Sequence, residues 1–193
     1  MSRRILLLVV LVVPIAASGI AIGSLSAQST DRDRVLAPHD PAHAAEPGSW
    51  CAIHVGKNEL VQALSDCSYA LSLDPNDVQP LSNQGALYLI AKDPKAALAD
   101  FDRAIALKPG VATLHFNRAV AHADLDNALA AIADYTEAIR LWPEFDAALH
   151  NRGYEFEKRG DTKRAVADYE AALRIKPDLK PSLKRLEGLR RSL

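Results

Sequence analysis

Residues 112–145, ATLHFNRAVAHADLDNALAAIADYTEAIRLWPEF, and residues 146–179, DAALHNRGYEFEKRGDTKRAVADYEAALRIKPDL, lie over each other without a gap. Both carry a small residue at the eighth place (Ala119, Gly153), alanine at the twentieth (Ala131, Ala165), tyrosine at the twenty-fourth (Tyr135, Tyr169), alanine at the twenty-seventh (Ala138, Ala172) and proline at the thirty-second (Pro143, Pro177). The register runs backwards through Pro109 and Pro75, each 34 residues before the next, and defines blocks at 44–77, 78–111, 112–145 and 146–179. In the two earlier blocks the same places hold Cys51 and Gly85, Ala63 and Ala97, Cys67 and Phe101, Ala70 and Ala104. A period of this length is that of stacked helix–turn–helix units.

The residue types follow from what such a unit must do. Two antiparallel helices approach closely only where small side chains face each other, as at the eighth, twentieth and twenty-seventh places, and the aromatic at the twenty-fourth fills the space against the next pair. Apolar residues of the second helix keep helical spacing, as in Ala97, Leu98, Phe101 and Ile105, and the closing proline cannot continue a helix. On these residues the chain resembles the tetratricopeptide-repeat family. The resemblance implies an all-α fold: a right-handed α-solenoid of four helix–turn–helix repeats, 44–77, 78–111, 112–145 and 146–179, with a capping helix at 180–193. One pair cannot bury its apolar face alone, so stability comes from stacking. Leu183, Leu186 and Leu189 are expected to cover the last aromatic layer. The first repeat is degenerate, since Pro47 and Gly48 delay its first helix to about Ser49.

The chain has 193 residues, 49% of them hydrophobic and 6% aromatic, with a formal net charge of −1. This excludes a disordered tail and carries no broad electrostatic signature for nucleic acid. At the amino terminus, Arg3 and Arg4 precede an apolar stretch from Ile5 to Ile22 and a run of small residues, Gly23 to Ala27. That is the order of a secretory signal. Residues 1–27 are read as a signal peptide, cut after Ser26 or Ala27 or near Ala16-Ala17-Ser18, or alternatively as a retained signal anchor. Residues 28–45 form a polar linker. The expected location is the bacterial periplasm or the exterior, with inner-membrane anchoring as the alternative. His39 and His43 flank Asp40, but Pro41 opposes the helix that would align them on a metal.

Cys51 and Cys67 fall at the eighth and twenty-fourth places of one repeat, facing each other between its helices. An oxidising compartment and an even cysteine count favour a disulfide across the 15 intervening residues. The alternative is two buried free thiols acting as small hydrophobes.

Polar ladders share the period. The twenty-third place reads Asp66, Asp100, Asp134, Asp168, and the seventh reads Gln84, Arg118, Arg152. A charge buried at every repeat demands a partner, so the arginines are expected to reach the aspartates, with Gln84 substituting by hydrogen bonding alone. His54 and His122, at an aromatic packing place, are read as core substitutes. In the resembling family the sixth place of the first helix lines the concave groove, which here gives Asn83, Asn117 and Asn151. With Phe116, Val120, His150 and Tyr154 they form the expected partner-binding wall. The residues by which chaperone-tail members of that family clamp a terminal carboxylate are missing except Asn83: Gly48 and Ala52 stand where the first clamp lysine and asparagine would be, and Thr113 and Asn117 replace the later basic pair.

There is no Gly-rich phosphate loop, nucleophile elbow or His-Glu-x-x-His pair, so no enzyme, cofactor, metal or small-molecule substrate is expected. The amino-terminal segment and the resemblance together lead us to expect an exported adaptor that binds a protein or peptide in its concave groove, with membrane contact only if the anchor is retained. The alternative is a membrane-tethered structural subunit of an envelope complex, using its convex face or the basic stretch from Arg174 to Arg191.

Overall fold

The computed structural model describes residue 51 and residues 60–191. The expected signal segment, the 28–45 linker, the His39–His43 pair, His54 and the Pro47 entry to the first repeat lie outside the described residues. Among the described residues the chain forms α1 (Leu60–Leu73), α2 (Val78–Ile90), α3 (Pro94–Leu107), α4 (Ala112–Asp124), α5 (Ala128–Leu141), α6 (Asp146–Lys158), α7 (Thr162–Ile175) and α8 (Lys180–Arg191), with no strand. None of these helices is long and apolar enough to cross a membrane. The fold is an all-α solenoid. Helices α2 and α3, α4 and α5, and α6 and α7 pair as antiparallel hairpins, each stacking on the next, and α8 packs on α7.

Each boundary has a local cause that recurs every 34 residues. The tight turn inside a hairpin needs a left-handed residue, supplied by Lys92 (φ 64°), Asp126 (φ 58°) and Gly160 (φ 75°). Next comes the start of the second helix. The Asp93 carboxylate accepts from the Ala96 N–H with Pro94 in the first turn, and Asp161 accepts from the Arg164 N–H. The second helices end at Lys108, Trp142 and Lys176, all outside helical geometry with ψ of 78°, 91° and 91°. A proline follows each, and its ring disfavours helical geometry in the residue before it.

The core is a column of aromatic rings walled by alanine. Phe101, Tyr135 and Tyr169 are fully buried, as are Ala97, Ala131 and Ala165 and Ala104, Ala138 and Ala172. How tightly the helices approach is clearest at the eighth place, where a Cβ on Gly85 would come within 2.8 Å of the Phe101 ring. At the carboxyl end the layer formed by Phe156 and Tyr169 is closed by Leu186 and Leu189. Leu183 departs from the sequence expectation and remains 39% exposed. The face of α8 turned inward runs through Ser182, Leu186 and Leu189, from which Leu183 is rotated away. Cys51 lies in a helix, is buried, and is joined to Cys67 by a disulfide.

Two stability outcomes follow from this packing. Gly85→Ala should lower the denaturant midpoint, because forcing the buried ring aside costs about 1–3 kcal/mol against a helix-propensity gain of at most about 1 kcal/mol. Gly188→Ala in α8 meets nothing within 4 Å and should raise it; equal effects of the two would refute the close approach at Gly85. Replacing both cysteines by serine should remove about 3 kcal/mol, seen as early loss of α1 protection in hydrogen exchange.

Candidate partner-binding groove

The first helices of the repeats, α2, α4 and α6, form the inner wall, and each is tied to its neighbours by the residue at its seventh place. Arg118 makes a bidentate pair with Asp134 at 2.7 and 2.8 Å while its remaining terminal nitrogen donates to Asp102 at 2.8 Å. Arg152 repeats this on Asp168 at 2.8 Å, with Thr136 as its third partner. Each guanidinium therefore clasps its own second helix and the preceding one, as fixed fork geometry permits. Gln84 keeps only half of the arrangement. Its amide donates to Ser68 on the preceding helix at 2.8 Å, leaving Asp100 Oδ2 buried with no hydrogen-bond partner. Burial pushes the Asp100 carboxyl up to about 6, a rise that Arg103 moderates.

Six of the seven side chains expected to line an open groove are buried: Asn83, Phe116, Asn117, Val120, His150 and Asn151. The exposed row of amides is not what the folded chain presents. Phe116 packs against Tyr135 and Phe145 with centroids 5.7 and 4.7 Å apart, and Asn83 Oδ1 accepts from the Gln79 side chain at 3.4 Å. Helices held close by alanine and glycine bring these places within reach of the adjacent hairpin, so their side chains are engaged inside the array. His150 shares a hydrogen bond with Ser182 of α8 at 2.8 Å. His122, read as a core substitute, is half-buried with Nε2 3.9 Å from Asp134 Oδ2.

Tyr154 is half-buried and marks the more open end of the wall. Arg185 lies over its ring at 4.5 Å and Lys158 approaches it at 5.9 Å. Arg185 also pairs with Glu157 at 3.0 Å, and Glu157 accepts from the Tyr169 hydroxyl at 2.7 Å. The other flanking carboxylate, Glu155, is turned to the interior and held by Lys158. Arg185 stands 34 residues after Asn151, so the capping helix extends the ladder of the sixth place with a cation. That interval is the sequence signal that finds it.

A family description, the tetratricopeptide repeat, matches residues 146–179, the block whose helices are α6 and α7. Residues 146–179 are a tetratricopeptide repeat. No curated protein sequence matches it. Among solved structures, the repeat array is similar to a crystal structure of MamA, with a TM-score of 0.69 at 22% identity over 74% of this chain and 83% of that one. It is similar to the tetratricopeptide-repeat domain of Arabidopsis OM64, with a TM-score of 0.59 at 27% identity over 60% of this chain and 96% of that one. The first such domain of Spaghetti (RPAP3), bound to the HSP90 peptide SRMEEVD, aligns with a TM-score of 0.58 at 22% identity over 60% of this chain and 91% of that one.

The broken clasp in the second repeat has a measurable consequence. Because Asp100 holds its proton to about pH 6 when folded, the folded state binds more protons than the unfolded chain between about pH 4 and 6. Stability from this group therefore falls as pH rises through that window. Gln84→Arg should restore the bidentate pair, remove that slope for α3 and raise stability at neutral pH. Urea unfolding and α3 hydrogen exchange at pH 4.5 and 7 test this. An unchanged slope in the variant would sink it.

Proposed function

We propose that this chain is an exported protein–protein interaction adaptor that takes an extended partner segment along the inner wall of its repeats. The observation that carries the reading is the half-exposed Tyr154 beside Arg185 and Lys158, at the open end of the wall. Of the uncharged residues along the first helices, Ser82, Ala86, Leu89, Phe116, Val120 and Ala123 are buried in the array and only Gln79 and Thr113 are partly exposed, so direct contact with a partner falls to the open end at Tyr154. The peptide bound to RPAP3 supports peptide capture as a use of this fold. The missing clamp residues separate this chain from capture of acidic carboxyl termini. The buried amides Asn83, Asn117 and Asn151 then act by holding the wall's shape, while Tyr154 supplies the direct contact.

A second reading rests on Arg174, Lys176, Lys180 and Lys184, exposed together near the carboxyl end. Here the outer surface of α8 docks the chain onto an acidic component of an envelope complex.

A photo-crosslinking residue placed at Tyr154, and separately at the exposed convex Leu129, distinguishes surfaces when the full chain is expressed in its own cell. Capture through position 154 and not 129, with Tyr154→Ala weakening the captured partner about tenfold, supports the inner wall. Capture only through Leu129 discards it. Export is tested on the same material, since the mature protein should begin near Ala27 or Gln28, and an intact amino terminus in the membrane fraction refutes cleavage.

A further inference from the structure

The hydrogen bond between His150 and Ser182 joins the wall of the last repeat to the terminal helix, and both residues are buried. We propose that α8 is an acid-releasable cap, latched to the fourth repeat through the His150–Ser182 contact and released when the imidazole is protonated. The groups facing the imidazole come from all three elements packed around it. Glu157 on α6 favours a proton on the ring and Arg185 on α8 opposes it. The Tyr169 ring on α7 lies 5.4 Å away and carries no charge at neutral pH. The Glu157 carboxylate is already shared between Arg185 and the Tyr169 hydroxyl, which leaves little of it to offset a second cation. An imidazolium at this position would be desolvated beside a guanidinium, and it gains water only if α8 leaves.

Burial, followed by Arg185, lowers the His150 imidazole from 6.5 to about 4. With the folded value depressed, a histidine contributes docking stability that is complete above about pH 6.5 and is lost as pH falls toward 4. Release would uncover Phe156 and Tyr169, which α8 covers with Leu186 and Leu189. It would also free Tyr154 and Glu157 from Arg185, opening the carboxyl-terminal end of the inner wall. Terminal units of a solenoid contact a neighbour on one side only, so this helix can leave without unfolding the array.

Hydrogen exchange of the full chain, corrected for intrinsic rates, should show α8 protection falling roughly twentyfold from pH 7 to pH 5, with α5 unchanged. His150→Asn preserves an amide for Ser182 but cannot titrate, and should abolish the difference. Equal α8 protection at both pH values in the native chain, or the same loss in His150→Asn, overturns the proposal. Should that variant fail to fold, NMR titration of the native His150 ring decides instead. A midpoint near 4 supports the latch, and a midpoint near 6.5 refutes it.

Discussion

Everything in this molecule depends on how closely the two helices of each repeat approach. At Gly85 the Phe101 ring occupies the space that any side chain would need, and alanines at the twentieth and twenty-seventh places keep the same distance along the stack. Close approach brings helix backbones within reach of short and medium side chains. It lets one arginine clasp two second helices, and it draws the sixth-place amides out of solvent. A wider spacing would leave the arginines too short to bridge and the amides on the surface.

The electrostatic ladders make the repeats unequal, although their shapes are alike. The third and fourth repeats have a guanidinium forked onto a buried carboxylate; the second has an amide that satisfies Ser68 and leaves Asp100 short of a partner. Breaking a buried pair from one side leaves the desolvation cost of the remaining charge uncompensated. At the far end the buried group is a base, so its response to acid has the opposite sign. Lowering the pH through 6 to 4 tightens the second repeat and loosens the cap. In a quasi-one-dimensional array, where units contact only neighbours, such local responses need not cancel.

The functional reading rests on a contrast along the inner wall. Much of it is packed, with Arg118 and Arg152 turned onto their aspartates; a cluster of charge lies where α6 meets α8, through Glu157, Lys158 and Arg185.

The 34-residue register, the helix stops before each proline and the small-residue contacts were legible in the sequence. Each is a local steric rule that acts within one repeat and returns in the next. The arginine–aspartate pairs were legible as well, because a period places both partners. The accessibility of Asn83, Asn117 and Asn151 was not, nor was the turning of Leu183 to solvent. Those depend on which neighbouring helix covers a given face, and so on the packing distance between hairpins. The His150–Ser182 bond was equally hidden, because Ser182 belongs to a helix outside the repeated units, with no second copy to reveal its role. The sequence by itself therefore determined the architecture, whereas tertiary packing decided which polar side chains bind inward and which remain for a partner.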